Sequence, residues 1–282
     1  VFEAYDTQQE DLVALKLLKF PEDATHIKEL EKRMQREINA LRLVNDSQII
    51  RLFDAGRDEQ LGVYYTMELL PHCITLKEYA EQHNPSVESL LHILRELLLG
   101  LQAVHQEKLV HRDLKPSNIL CLPETKPLQL KIIDFGIASV SEEDSQLTQT
   151  GMLLGSVPYI SPEQVRGIKK FINGSSDLYS LGILLYLVLT RRLPFKADQI
   201  AGYLTHHLFT PPPSLKSLRP GQVWSSQLDA FMAKAIAKEA SERFTSAADF
   251  WRELDKALDT QPEIELAAIF SQDTVEDEPP LQ

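Results

Sequence analysis

Two short stretches of this 282-residue chain combine acids, an amide and cations at a spacing that could do chemistry. The first, at residues 111–118, reads His-Arg-Asp-Leu-Lys-Pro-Ser-Asn, and the second is Asp134-Phe135-Gly136. The side-chain oxygens of Asp113, Asn118 and Asp134 are ligands of the kind that Mg²⁺ prefers. Lys115 adds a mobile positive charge suited to a phosphate. The set therefore indicates phosphoryl transfer, in which the protein mainly positions reactants and neutralises charge. The alternative, a polar loop that holds these residues by chance, is disfavoured by their order and spacing.

These motifs resemble the catalytic loop and the metal-binding loop of eukaryotic-like (Hanks-type) protein kinases. The lysine two places after Asp113 is similar to that of the serine/threonine branch, and the resemblance is closest to bacterial members. The resemblance implies that Asp113 orients the substrate hydroxyl and accepts its proton, and that Lys115 contacts the γ-phosphate. It further implies that Asn118 and Asp134 bind Mg²⁺.

The same resemblance implies five residues that hold the site in place: His111, Phe135, Glu163, Asp177 and Arg243. His111 would pack against Phe135, and a role as general base is disfavoured because a nearby acid explains the chemistry. Glu163 and Arg243 resemble a buried ion pair that ties a substrate-docking loop to the late helices. Asp177 would accept hydrogen bonds from backbone N–H groups of the catalytic loop, or it could be an ordinary helix N-cap.

The residues before the first motif must supply the nucleotide side of this site. Residues 1–20 alternate in hydrophobicity around a polar turn and predict two strands, and residues 22–44 predict a helix. Val13-Ala14-Leu15-Lys16 resembles the family motif whose lysine holds the α- and β-phosphates. Glu37 falls on the apolar stripe of the predicted helix, where a carboxylate is costly unless paired. The resemblance implies Lys16 as the partner, and the alternative is that Glu37 reaches solvent at the edge of the stripe.

The resemblance also implies an ATP pocket. Its residues would be Val1, Ala14, Lys16, Met67, Glu68, Leu70 and Leu120. Residues 49–52 and 63–68 predict strands around a charged turn at 54–60, and 67–70 resembles the hinge between kinase lobes. Met67 would lie beside the adenine, and the backbone of Glu68 and Leu70 would hydrogen-bond its edge. Ala14 and Leu120 would sandwich the adenine, although either is equally well explained as core.

One family motif does not occur in the sequence, the glycine-rich loop Gly-x-Gly-x-x-Gly. The chain starts without Met and within the family pattern, so we expect a fragment of a longer protein with further regulatory domains. We expect such a fragment to bind ATP weakly. The missing loop also leaves a pseudokinase, acting as a binding module, as an alternative. A second alternative is a small-molecule phosphotransferase, but those enzymes lack the docking loop and its Arg243 partner.

The second half of the chain predicts mainly helices. Residues 87–106, 178–190, 227–238 and 246–258 have helical periodicity, and residues 128–132 alternate as a strand that leads to Asp134. Residues 137–161 resemble the activation segment, and Ser156 stands where the family usually has Thr. Thr148 and Thr150 are either autophosphorylation sites or ordinary loop threonines. The guanidinium of Arg112 suits bidentate capture of a phosphate on one of them.

Together these patterns predict an α+β, two-lobed protein kinase fold. Residues 1–67 would form a small lobe of sheet plus helix, 68–70 a hinge, and 71–259 a large, mainly helical lobe. Residues 260–282 would be an acidic linker or tail.

Composition excludes several other classes of protein. The net charge of −12 argues against nucleic-acid binding, which needs a basic surface. No apolar run approaches the ~20 residues of a membrane span. Cys73 and Cys121 lack metal-ligand spacing and predict two buried thiols in a reducing compartment rather than a disulfide, hence a cytoplasmic protein. The expected partners are ATP, Mg²⁺ and proteins phosphorylated on Ser or Thr.

Overall fold

A computed structural model of the chain describes residues 1–18, 35–58, 62–135 and 155–262. Its first part is a four-stranded antiparallel sheet in the order β1-β2-β4-β3, and a smaller sheet comes later in the order β5-β6-β7. The strands are β1 Phe2–Asp6, β2 Asp11–Leu18, β3 Leu52–Asp58, β4 Gly62–Glu68, β5 Ile74–Thr75, β6 Ile119–Leu122 and β7 Gln129–Ile132.

Helices dominate the described chain after the first sheet. Residues 35–41 are helical and are named α1 here. The others are α2 Leu76–His83, α3 Val87–Gln106, α4 Pro162–Val165, α5 Gly174–Thr190, α6 Ile200–Phe209, α7 Leu215–Leu218, α8 Ser226–Ala235 and α9 Ala247–Asp259. This is the predicted α+β fold: a small sheet-and-helix lobe and a larger helical lobe.

The core of the large lobe forms around α3 and α5. The predicted stripe of α3 is buried along its whole length, from Leu90 at 4% exposure to Leu101 and Val104 at 0%. Ser86 caps the helix by accepting from the backbone N–H of Ser89. Because α3 ends at Gln106, just before the first motif, its packing fixes the point from which the catalytic loop departs.

Two element boundaries differ from the sequence prediction, one at a segment predicted as a charged turn and one at the start of a helix. The strand predicted for 49–52 begins only at Leu52 and runs to Asp58, through most of the predicted turn at 54–60, because β3 is an edge strand whose charged residues face solvent. Its Asp54 N–H donates to the Thr66 hydroxyl at 3.1 Å. Helix α5 begins at Gly174 rather than at 178, because Asn173 caps it by accepting from the Ser175 N–H.

Other predicted ends lie closer to the structure. The helix predicted for 22–44 is helical at 35–41 and has ended before Val44, and its earlier residues lie outside the described ranges. Helices α8 and α9 begin and end within three residues of their predicted bounds. No helix in the described ranges combines the length and apolarity that a membrane crossing requires.

The two lobes meet through backbone contacts beside the second motif. Ile49 forms an isolated parallel bridge with Ile132. The Ile132 N–H donates to Gln48 O at 2.7 Å, and the Ile50 N–H donates to Ile132 O at 3.1 Å. The segment that leads to Asp134 is therefore attached to residues that run into β3 of the small lobe.

Candidate active site

The catalytic loop brings together the acid, the cation and the amide that the sequence singled out. The Asn118 amide nitrogen donates to Asp113 twice, to Oδ2 at 2.9 Å and to the backbone oxygen at 2.7 Å. Lys115 Nζ lies 3.0 Å from the same Oδ2 and donates to Ser156 Oγ at 2.6 Å. Asp113 is therefore held between an amide and an ammonium, with the Ser156 hydroxyl one contact away.

His111 is a buried residue that contacts both motifs. Its ring is fully buried and packs on Phe135 with centroids 4.6 Å apart. The Asp113 N–H donates to Nδ1 at 3.2 Å, so Nδ1 carries no proton, and Nε2 donates to Ile133 O at 2.8 Å. Both ring nitrogens are thus used in joining the two motifs, and neither is left to act as a base.

Asp177, the fourth residue of α5, binds the backbone of the catalytic loop. Its carboxylate accepts from the backbone N–H groups of His111 at 2.9 Å and Arg112 at 2.8 Å, and from His105 Nε2 at 2.7 Å. Burial raises the pKa of Asp177, but the contact with His105 and the neighbouring donors outweigh it, and the net pKa is lowered. The N-cap of α5 is Asn173, so the alternative role for Asp177 is wrong.

Two residues at the site adopt the left-handed backbone that glycine favours. Arg112 has φ of 68° and Asp134 has φ of 55°. Such conformations cost roughly 1–3 kcal/mol and persist where the surroundings enforce them. At Arg112 the enforcement is visible, since Asp177 accepts from its N–H and Gln164 Nε2 donates to its carbonyl at 2.6 Å.

Sequence reasoning missed His105 and Gln164, which both act on the catalytic loop. His105 faces Asp177 from α3, and a lone histidine on an amphipathic helix gives no signal of such a role. Gln164 follows Glu163 directly and closes a capping box with Ser161. The Ser-x-x-Gln pattern could have indicated the box, but not the contact with Arg112.

The ion pairs of Lys16 and Glu37 differ from the predicted one. Lys16 Nζ contacts Asp134 Oδ1, and Glu37 Oε1 accepts from Arg112 Nη1 at 3.3 Å. The prediction joined Lys16 to Glu37. In the structure both side chains are partly exposed, and Lys16 extends from β2 to Asp134 while Glu37 extends from α1 to Arg112. Lys16 thus reaches the second motif directly.

Arg112 lies next to Asp113 and is engaged within the described residues. Its Nη1 donates to Glu37, while its Nε is buried without a partner in the described ranges. The expected phosphate-bearing residues, Thr148 and Thr150, lie outside the described residues. Capture of a phosphothreonine by Arg112 therefore stays a prediction.

The residues expected to bind nucleotide lie in or next to the first sheet, except Leu120, which lies in the second sheet. Ala14 in β2 and Met67 in β4 are opposite each other across the two strands, and both are buried. The Glu68 N–H donates to Arg51 O at 2.9 Å, which restricts its predicted adenine contact to the carbonyl. Leu70 follows β4, Leu120 lies in β6, and Val1 is 72% exposed.

Glu163 and Arg243 form a buried, bidentate ion pair, as the sequence predicts. Arg243 Nη1 donates to Oε1 at 2.8 Å and Nη2 to Oε2 at 2.9 Å, and the Ser176 hydroxyl donates to Oε1 at 2.6 Å. Burial raises the pKa of Glu163, but Arg243 and Ser176 outweigh it and hold the pKa below its usual value. The pair fixes α4 to the loop between α8 and α9.

A buried histidine lies beneath the 3-10 turn Val157–Tyr159, next to α4. His207 on α6 is fully buried, and its Nδ1 is 2.8 Å from the Tyr179 hydroxyl. Its ring also packs edge-on against Phe195. Burial, together with the nearby Lys238 charge, lowers the pKa of His207 to about 3. The imidazole is therefore neutral in the folded protein at every pH near neutrality.

This lowered pKa predicts a loss of stability in acid. The unfolded imidazole takes up a proton near pH 6.5, whereas the folded one stays neutral down to about pH 3, so acid favours the unfolded state over that interval. Protonation of His207 in the unfolded state lowers the free energy of unfolding by about 1.4 kcal/mol per pH unit, or about 2 kcal/mol between pH 6.5 and pH 5. Urea unfolding at pH 7.5 and pH 5 of wild type and His207→Gln would measure it.

We expect His207→Gln to lose less free energy of unfolding than wild type on this change of pH. A matched His92→Gln variant, at an exposed histidine of α3, controls for removal of an imidazole. An equal loss in wild type and His207→Gln would contradict the assignment.

The donor set at the meeting point of the two motifs fits a divalent metal. Asn118 uses its amide nitrogen on Asp113, which leaves its side-chain oxygen as the acceptor, and Asp134 adds a carboxylate. Hard oxygen donors of this kind match Mg²⁺, which usually takes few protein ligands and completes its shell with water and phosphate oxygens.

Comparisons with known proteins agree with this geometry. Residues 1–254 match the family model described as the protein kinase domain. The chain is 32% identical to the serine/threonine-protein kinase PrkC of Bacillus subtilis, over 92% of this chain and 38% of that protein. It is also 32% identical to pkn3 of Myxococcus xanthus and to PknD of Mycobacterium tuberculosis, over 93% and 95% of this chain. The chain spans less than half the length of these relatives, at 48% of pkn3 and 39% of PknD.

Proposed function

The chain belongs to the protein kinase domain family, and on that basis we propose that it transfers the γ-phosphate of ATP to serine and threonine hydroxyls of proteins. The observation that carries the proposal is the convergence on Asp113. Its carboxylate lies within 3.0 Å of Lys115 Nζ and within 2.9 Å of the Asn118 amide.

In this proposal Asp113 orients the incoming hydroxyl and accepts its proton. Lys115, on the same carboxylate oxygen, neutralises charge on the transferred phosphoryl group. The Ser156 hydroxyl accepts from Lys115 and thereby places the segment that carries it beside the reacting groups. Lys16 holds the α- and β-phosphates, and Glu37, through its ion pair with Arg112, supports the loop that carries Asp113.

We propose Asn118 and Asp134 as the residues that hold Mg²⁺. The metal would supply positive charge to the phosphate oxygens of ATP. For the nucleotide itself we propose a pocket between the sheet and β6, lined by Val1, Ala14, Met67, Glu68, Leu70 and Leu120. Residues 68–70 would then be the hinge between a small lobe at 1–67 and a large lobe at 71–259.

The buried Glu163–Arg243 pair supports a protein rather than a small molecule as the phosphate acceptor. It anchors α4, and Ser161 and Gln164 of the same segment bond each other and the catalytic loop. A segment fixed so firmly beside Asp113 offers a surface on which an extended peptide could lie. The intact catalytic set favours an enzyme over a pseudokinase that acts only as a binding module.

We further propose a cytoplasmic location. ATP is the proposed co-substrate, and Cys73 and Cys121 are both free thiols, which suit a reducing compartment, although Cys121 is buried as predicted and Cys73 is only half-buried. Burial raises the pKa of the Cys121 thiol to about 12, so this cysteine is inert and structural.

The proposed activity is tested by label transfer from γ-labelled ATP to a mixture of Ser- and Thr-containing proteins, followed by identification of the phosphorylated amino acids. We expect phosphoserine and phosphothreonine from wild type. Lys16→Met should lower the rate by about 10²-fold, because a charge aimed at the phosphates is lost.

Lys216→Met, at an exposed lysine of α7, is the matched control and should leave the rate unchanged. Absence of label from protein with wild type would reject the proposed function. Label that appears only in small molecules would favour the phosphotransferase alternative instead.

A further inference from the structure

Tyr65 shares a face of the sheet with Lys16. The two residues are directly opposite each other in the antiparallel pair of β2 and β4, so their side chains project to the same side. Tyr65 is 3% exposed, while its neighbour Tyr64 points to the other side and lies against Gly56 of β3. The face that carries Lys16 and Tyr65 is the one turned toward Asp134.

The Tyr65 hydroxyl donates to Asp134 Oδ1 at 3.4 Å, and Lys16 Nζ contacts this same oxygen. A buried tyrosine hydroxyl needs a partner, and Asp134 is the one that the described residues provide.

We propose that Tyr65 is a positioning residue for the proposed metal ligand Asp134. Two donors on one strand pair, Tyr65 and Lys16, hold Oδ1 and so restrain the rotation of the carboxylate. Asp134 needs such restraint because its backbone is in the left-handed region at φ of 55°. This inference rests on the proposed function, since it assigns Tyr65 to the same site.

The competing explanation is that Tyr65 only fills the core. Tyr65→Phe separates the two, because it keeps the ring and removes only the hydroxyl. Tyr64→Phe is the matched control, since it removes a hydroxyl from the adjacent residue of the same strand on the opposite face. A core-filling role predicts that both variants bind metal and nucleotide as wild type does.

The experiment measures ADP binding by calorimetry at stepped Mg²⁺ concentrations, with wild type, Tyr65→Phe and Tyr64→Phe. This readout does not require phosphate transfer. We expect Tyr65→Phe to raise the Mg²⁺ concentration for half-maximal binding by about 3- to 10-fold, the net worth of a typical hydrogen bond. Tyr64→Phe should match wild type.

Initial rates of phosphate transfer over the same Mg²⁺ range give a second readout. We expect Tyr65→Phe to recover most of the wild-type kcat at saturating Mg²⁺, because Asp113 and Lys115 are untouched. An unchanged Mg²⁺ dependence in Tyr65→Phe, or an equal shift in Tyr64→Phe, would overturn the inference. Failure of wild type to transfer phosphate at all would instead count against the proposed function.

Discussion

Asp113→Asn should lower the rate of phosphate transfer by about 10²- to 10⁴-fold, the usual contribution of a positioned general base. The amide keeps the shape of the carboxylate but cannot accept the hydroxyl proton. The substitution also removes the negative charge that holds Lys115 Nζ at 3.0 Å from Asp113 Oδ2. Nucleotide affinity should change little, because Lys16 and Asp134 are left intact. Initial rates and calorimetric ADP binding on one preparation measure both quantities.

The control for this substitution is Asp198→Asn, at an exposed residue between α5 and α6. It makes the same chemical change away from the site and should leave both quantities at wild-type values. If Asp113→Asn kept most of the wild-type rate, another group would have to accept the proton. His111 could not do so, because both of its ring nitrogens are already used.

Arg243→Met should destabilise the fold by about 3–5 kcal/mol, since removal of one partner leaves the Glu163 charge buried and unpaired. The Arg243 side chain is 0% exposed and that of Glu163 4%. Besides Glu163, the guanidinium donates to Ala237 O at 2.7 Å and to Lys238 O at 3.0 Å. Lysine could not replace Arg243, because its ammonium group cannot reproduce the bidentate geometry of the planar guanidinium. Urea unfolding followed by circular dichroism gives the free energy.

Two comparisons give this measurement its meaning. Arg166→Met breaks a surface ion pair with Glu239, of 35% and 59% exposure, and should cost no more than about 1 kcal/mol. The double variant Glu163→Gln/Arg243→Met should lose less than the sum of the two single losses, because neither charge is then left alone. Strict additivity would show that the pair does not act as a unit.

The residues of the catalytic loop could be predicted because their chemistry is contiguous in the chain. Asp113, Lys115 and Asn118 lie within six residues, so their mutual contacts follow from the loop itself. The partner of Lys16 could not be predicted in this way. Its contact with Asp134 joins residues 118 apart, and the choice between Asp134 and Glu37 depends on side-chain placement between lobes.

Local polarity misled the prediction of secondary structure at β3 and at the start of α5. The charged residues of β3 are typical of a turn, but an edge strand places such side chains in solvent at little cost. The prediction began this helix at Leu178, where the apolar run starts, and left out Ser175 and Ser176. They belong to the first turn of the helix, where the Ser176 hydroxyl donates a hydrogen bond to the buried Glu163 carboxylate instead of to solvent.

The order of the chain has a consequence for how the site is assembled during synthesis. The catalytic loop depends on Asp177, 65 residues after Arg112, and α4 depends on Arg243, 80 residues after Glu163. A ribosome releases the N-terminal part first, so residues 111–118 emerge well before the groups that shape them. Contacts this distant in sequence also form slowly. We therefore expect the loop at residues 111–118 of a nascent chain to reach its final arrangement only when the residues of α9 are being made.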